Sequence, residues 1–259
     1  MILHRLGRSL GRSRGSNAPP PLPDVIPTFV DHGVTFRRGQ VSLIAGAAGC
    51  GKSALAQWYA WQLKLPTLYF SGDTDDVTMA ERGAAMVTGY TQSYIRSVTE
   101  DNGLAFFLDQ LDEATQHVCW EWDGDLSMGD IDDAVKAFGL VHGEWPALIV
   151  FDVLISYAGS THEEQIEFLL ACKALASKTD AHVMVLHHTV GLWTDKPEAP
   201  PRSAIQNKLD QTPATIVTLG RDESTWNVAL VKSRTSKADP RAERPWHLKA
   251  DFDTMRIVQ

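Results

Sequence analysis

The stretch Gly46-Ala47-Ala48-Gly49-Cys50-Gly51-Lys52-Ser53 fits the pattern G-x-x-x-x-G-K-[ST] at every fixed position. Glycines at those places let the backbone curl, so that its N–H groups and the start of the next helix face a polyphosphate. In such a loop Lys52 neutralises the β and γ phosphates, and the Ser53 hydroxyl holds Mg²⁺. The apolar run Ala147 to Phe151 ends in Asp152, the natural second anchor for the same ion, through water. The chemistry this set supports is binding of a nucleoside triphosphate and, given a base, its hydrolysis.

Hydrolysis needs a carboxylate that orients the attacking water or accepts its proton. The residue after Asp152 is Val153, so the carboxylate is not supplied there. The apolar segment Thr67–Phe70 runs into Ser71-Gly72-Asp73-Thr74-Asp75-Asp76, whose far end would open on the same crevice. Asp73 is the expected base and Asp75 the reserve; the alternative is that these acids only cap a helix starting at Asp76. Two further groups carry polar chemistry at strand ends. His187 and His188 close the run His182 to Leu186, and adjacent strand residues point to opposite faces, which speaks against a shared zinc ion. Lys232 and Arg234 follow the run Val228–Val231; two apart, they share a face, although alone they read as a solvated strand end.

The elements that must position these groups alternate. Val41–Ala45 reads as a strand, Lys52–Leu65 as a helix ended by Pro66, Thr67–Phe70 as a strand and Asp76–Met86 as a helix. Residues 91–116 look helical, with apolar Ile95, Val98, Phe106, Phe107 and Leu111. From Glu100 to Asp133 there are eleven acids and no Lys or Arg, which we read as a solvated acidic face without catalysis. Ala147–Phe151 has the character of a buried strand. Ser160-Thr161-His162-Glu163 reads as a capping box opening a helix to about Lys178. His182–Leu186 is the next strand, and residues 190–213, rich in proline, form a long loop. Strands at 214–219 and 227–232 and a hairpin around Asp251-Phe252-Asp253 close the chain. Strands alternating with helices predict an α/β fold: one domain with a mostly parallel central sheet flanked by helices.

The 259 residues carry 24 Lys+Arg against 32 Asp+Glu, a net charge of −8, with 44% apolar content. That content excludes a wholly disordered chain. No apolar run approaches the roughly 18 residues of a membrane helix, so no membrane is expected. Three cysteines without a CxxC pair make neither a disulfide framework nor a zinc site and fit a cytoplasmic setting. Residues 1–23 hold Arg5, Arg8, Arg12 and Arg14 and no acid, leaving −12 for the rest. They end in Ala18-Pro19-Pro20-Pro21-Leu22-Pro23 and are expected to form a disordered basic tail, with a weak nucleic-acid arm as the alternative. The folded domain is expected over 24–259. So acidic a body does not coat duplex DNA by bulk electrostatics; any nucleic-acid contact must be local.

Together these features resemble the RecA/DnaB class of ring-forming ATPases, in particular the ATPase core of DnaB-like replicative helicases, including the small plasmid RepA-like ones. The resemblance covers roughly residues 30–258. The class follows its second strand with Ser-x-Glu-Met and then Glu-Arg; Ser71-Gly72-Asp73-Thr74 and Glu81-Arg82 stand at that spacing. Asp73 falls at the catalytic glutamate, one methylene shorter. His188 falls at the polar sensor felt by γ-phosphate and DNA. Lys232-Ser233-Arg234 falls at the Lys-x-Arg pair inserted into a neighbouring subunit's ATP site. The loop after the sensor strand lines the channel in that class; here it offers Lys196, Arg202, Lys208 and Trp193.

The resemblance implies a RecA-like fold and an ATP- and Mg²⁺-dependent DNA helicase. It would act as a ring, with six subunits as the expectation, moving on single-stranded DNA during replication in a bacterial or phage-infected cytoplasm. Loader or replication proteins are implied partners, and the chain has no room for a primase-binding domain. Rival readings are a RecA-like recombinase forming an open filament and an ATP-governed loader or switch with slow turnover. A small-molecule phosphotransferase is more distant, since neither an Arg-rich lid nor a substrate pocket is identifiable.

Overall fold

The computed structural model describes residues 20–100, 105–189, 191–193, 196–205 and 209–258. Its framework is a nine-stranded sheet in the order β3-β2-β4-β5-β1-β6-β7-β8-β9. The strands are β1 (Val41–Gly46), β2 (Thr67–Ser71), β3 (Val118–Glu121), β4 (Leu148–Asp152), β5 (His182–His188), β6 (Thr215–Arg221), β7 (Thr225–Ser233), β8 (Trp246–Asp251) and β9 (Arg256–Ile257). Pairing is parallel from β3 through β6. Beyond β6 it turns antiparallel.

Helices α1 (Pro27–Asp31), α2 (Lys52–Leu63), α3 (Asp76–Thr88), α4 (Gln92–Glu100), α5 (Ala105–Thr115), α6 (Met128–His142), α7 (Leu154–Ala158) and α8 (His162–Thr179) pack around the sheet. Alternation along the strands feeds two cores. Leu148 and Val150 of β4 and Met184 and Leu186 of β5 face one, with α2. Ile149, Phe151, Val183 and Val185 face the other, with α6 and α8. Burial on both faces is why these strands read as unbroken apolar runs.

Two local readings are corrected and two are filled in. The capping box of α8 is Thr161 with Glu164, one residue later than expected. The acidic stretch hides two elements. β3 pairs with β2, and α6 buries Ile131, Val135 and Phe138. Residues 20–23 do not belong to a disordered tail: Leu22 is 3% exposed in the core, and its N–H donates to Phe36 O at 2.8 Å. The extended Pro-rich segment meets Arg37 through a single antiparallel bridge at Pro21, outside the sheet. Residues 1–19 lie outside the described residues. Finally, of the described residues in the long loop after β5, Ala199, Ile205 and Leu209 pack into the second core, while Leu192 stays exposed.

Candidate nucleotide site

The parallel strands leave β1, β2, β4 and β5 with their carboxyl ends along one edge, where ligands of open α/β sheets bind. The phosphate loop joins β1 to α2 there. Its turn depends on Gly51, at φ +94°, where a Cβ would also stand 2.8 Å from Trp226 Nε1. At Gly46 a Cβ would come within 2.5 Å of Leu219 O. Trp226 Nε1 donates to Cys50 O at 2.7 Å and fixes the loop from below.

Lys52 is 5% exposed, and its ammonium donates to Ala47 O at 2.8 Å, Gly46 O at 3.1 Å and His188 Nδ1 at 3.2 Å. Burial lowers its pKa, opposed by the charges of Cys50, Asp152 and Asp73. Because an ammonium only donates, His188 Nδ1 accepts, and the ring is neutral with its proton on Nε2. Burial and the Lys52 charge lower the His188 pKa, which favours that neutral form. His187, on the opposite face, is buried and pushed down to about 4 by the loss of solvation.

Asp152 is 1% exposed. Its Oδ1 accepts from Ser53 Oγ at 3.1 Å and its Oδ2 from Tyr69 Oη at 2.9 Å. Burial raises its pKa, while those two hydrogen bonds and the Arg82 charge oppose the rise. A hydroxyl beside a carboxylate is the hard-oxygen donor set that Mg²⁺ takes, so Ser53 and Asp152 fit the ion.

Asp73 is exposed at the end of β2, and its charge acts on Lys52, Asp152 and His188 alike. Asp75 is engaged elsewhere: it caps α3, accepting from Thr78 N and Thr78 Oγ1, each at 2.8 Å. Glu81 pairs with Arg96 at 2.7 Å.

Lys232 and Arg234 stand apart from this cluster. Lys232 lies opposite Ile216 and Ser233 opposite Thr215, at the entry of β6, whereas the phosphate loop leaves the exit of β1 near Leu219. About four residues of strand, roughly 13 Å, separate the two levels. Lys232 Nζ donates to Asp210 O and, at 2.9 Å, to Gln211 O; Arg234 Nη2 reaches Thr212 O at 3.4 Å. Of the loop residues, Lys196 lies 5.0 Å from the half-buried Trp193 ring, and Arg202 pairs with Asp210 at 3.4 Å. Lys208 lies outside the described residues.

Comparison with known proteins bears on this arrangement. A model of the AAA domain matches residues 10–190. The chain belongs to the AAA-domain family. It is 32% identical over 256 residues to the Gene 65 protein of Mycobacterium phage L5, covering 94% of each. It is 30% identical over 227 residues to the Gene 65 protein of Mycobacterium phage D29, covering 83% of this chain and 97% of that one. In fold it is similar to a solved ATPase domain, with a TM-score of 0.78, 14% identity and coverage of 98% of this chain and 96% of that one. It is also similar to a DnaB-like replicative helicase described with its interactions with primase: TM-score 0.81, 14% identity, covering 98% of this chain and 65% of that one. The fold is therefore that of RecA/DnaB-type P-loop ATPases.

Two residues of this AAA-domain protein join the site without a signal in the sequence. Tyr69, inside an apolar strand, reads as core until its hydroxyl is seen on Asp152. Arg221, at the end of β6, lies 3.8 Å over the Phe252 ring and reaches Gly49 O at 3.4 Å. With Lys196, Pro197 and the phosphate loop it lines a cleft of about 440 Å³. The contacts join residues 83 and 172 positions apart, beyond any local pattern.

Proposed function

We propose that this protein is an ATP-dependent DNA helicase or translocase, hydrolysing ATP in a ring to move along single-stranded DNA during replication. The observation that carries the reading is a split. Lys52, Ser53, Asp73, Asp152 and His188 gather at one end of the sheet, while Lys232 and Arg234 sit at the other. A site needing both sets takes the second from a neighbouring copy, and head-to-tail repetition of that contact makes a ring or filament. A closed ring of about six subunits is the form proposed.

In this mechanism the phosphate-loop N–H groups and Lys52 hold the β and γ phosphates, and the neighbour's Lys232 and Arg234 add positive charge as negative charge develops. Ser53, and Asp152 through water, would hold Mg²⁺, which would supply charge neutralisation to the phosphates. Asp73 orients the water and accepts its proton. His188 contacts Lys52 from the last position of β5, just before the loop that follows, so its position registers the state of the phosphate site. Lys196, Arg202 and Trp193 on that loop are the proposed contacts to single-stranded DNA. Among the described residues no helix is long and apolar enough to cross a membrane. The proposed setting is the cytoplasm of a bacterial host, with loader or replication proteins as partners.

The test is steady-state ATPase activity with and without single-stranded DNA, alongside native mass at the same concentration. Strong stimulation in a ring supports the reading, and DNA-indifferent turnover by a monomer overturns it. Asp73, one methylene shorter than glutamate, favours a second reading: an ATP-governed loader or switch with slow turnover. A recombinase would show an open filament and strand pairing in the same assays.

A further inference from the structure

A second cavity, of about 430 Å³, lies between α2, α3, α5 and the edge strand β3. That is within the size range of small-molecule sites. Among the described residues it shares no lining residue with the cleft at the phosphate loop. Its walls are mostly apolar, with Trp61, Trp120, Trp122, Met79 and Leu111. Trp120 and Trp122 are stacked, centroids 5.2 Å apart, giving the pocket a broad aromatic wall.

The charge of the lining has one sign. Asp76 and Asp112 contribute carboxylates at the exposed rim, and among the described residues no Lys or Arg lines the space. Deeper in, Gln57 is 5% exposed; its Nε2 donates to Met79 O at 2.8 Å, which leaves Oε1 buried with no partner among the described residues. Trp61 Nε1, in the same wall, is likewise buried with no partner among the described residues, so the wall holds one spare acceptor and one spare donor, each with almost no accessible surface. Tryptophan faces and rim carboxylates are the surroundings that suit a cation with N–H groups on an apolar stem. They disfavour an anion.

We propose that this cavity binds a small organic cation, an amine or guanidinium carried on an apolar body. The N–H groups face the rim carboxylates of Asp76 and Asp112, and the body packs on the tryptophans. The inference does not depend on the ATPase reading. Two sources share the chemistry: a free small cation, which is the proposal, and the arginines of residues 1–23 of this chain.

The experiment titrates the full chain with n-pentylguanidinium, following tryptophan fluorescence, with n-pentylurea as the isosteric uncharged control. Expected are saturable binding of the cation and at least tenfold weaker binding of the urea. Two variants at exposed lining positions, Ala80→Phe to plug the space and Asp112→Asn to remove a rim charge, should each weaken the cation at least fivefold. Lys52→Ala should bind it as the wild type does, separating this site from the phosphate loop. Equal affinity for the urea, or undiminished binding in Ala80→Phe, overturns the proposal. Binding that emerges only after deletion of residues 1–19 also overturns it, because the cavity then belongs to the chain's own arginines.

Discussion

Lys52 Nζ donates to His188 Nδ1 across 3.2 Å, tying the end of β5 to the phosphate loop through side chains 136 positions apart. A phosphate arriving at Lys52 competes with that histidine for the ammonium. The contact thus gives the loop after β5 a physical reason to respond to the nucleotide.

His188→Ala should leave ATP binding within a few-fold of wild type and lower DNA-stimulated turnover by about tenfold or more. His188→Gln, which keeps an acceptor, should recover much of the loss. Equal DNA stimulation in His188→Ala and wild type would remove His188 from the coupling.

Asp73 and Asp75 separate by their neighbours. Asp75→Ala removes a helix cap and should lower stability while sparing turnover. Asp73→Ala should lower kcat by about a hundredfold, and Asp73→Glu should raise it by restoring reach. Denaturation curves and initial rates on both variants decide the assignment; full activity in Asp73→Ala places the base elsewhere.

Tyr69→Phe keeps the ring that packs 4.4 Å from Trp120 and removes the donor to Asp152 Oδ2. The buried carboxylate then loses a hydrogen bond, worth about 1–3 kcal/mol. The Mg²⁺ concentration needed for nucleotide binding should rise several-fold, read by titrating Mg²⁺ against a fluorescent ATP analogue. An unchanged requirement would make Tyr69 a core residue only.

His182 and His187 are held neutral, each pushed down to about 4, chiefly by burial. In the unfolded chain such rings take up protons near about pH 6.5. The folded state therefore binds fewer protons in between, and stability is complete above about pH 6.5 and falls as pH drops toward 4. Each ring contributes about 1.4 kcal/mol per pH unit within that window. Urea denaturation from about pH 7.5 down to 5 should show the decline, and in His182→Gln the slope should be shallower. An identical slope in the variant would contradict it.

How much was legible follows from how local each signal is. The strand–loop–helix placement of residues 46–53 and the place of Asp152 at a strand end were legible because each follows directly on an apolar run. The parallel sheet followed from apolar runs buried on both faces. β3 and α6 were not, because the acids from Glu100 to Asp133 outweigh the few apolar positions, Val118, Ile131, Val135 and Phe138, that face the core. Tyr69 and Arg221 escaped because pairing across the sheet, not spacing along the chain, brings them to the site. The long loop after β5 could be placed but not its packing, which depends on Asn227 Nδ2 donating to Pro197 O at 2.7 Å.

The measurement that most directly tests the shared site mixes two inactive variants. Lys52→Ala lacks its own phosphate site but keeps Lys232 and Arg234; Arg234→Ala has the reverse. If fingers act across an interface, equal amounts of the two should assemble with some intact junctions and regain about a quarter of wild-type DNA-stimulated turnover. A mixture no more active than its separate components would contradict a site built from two copies.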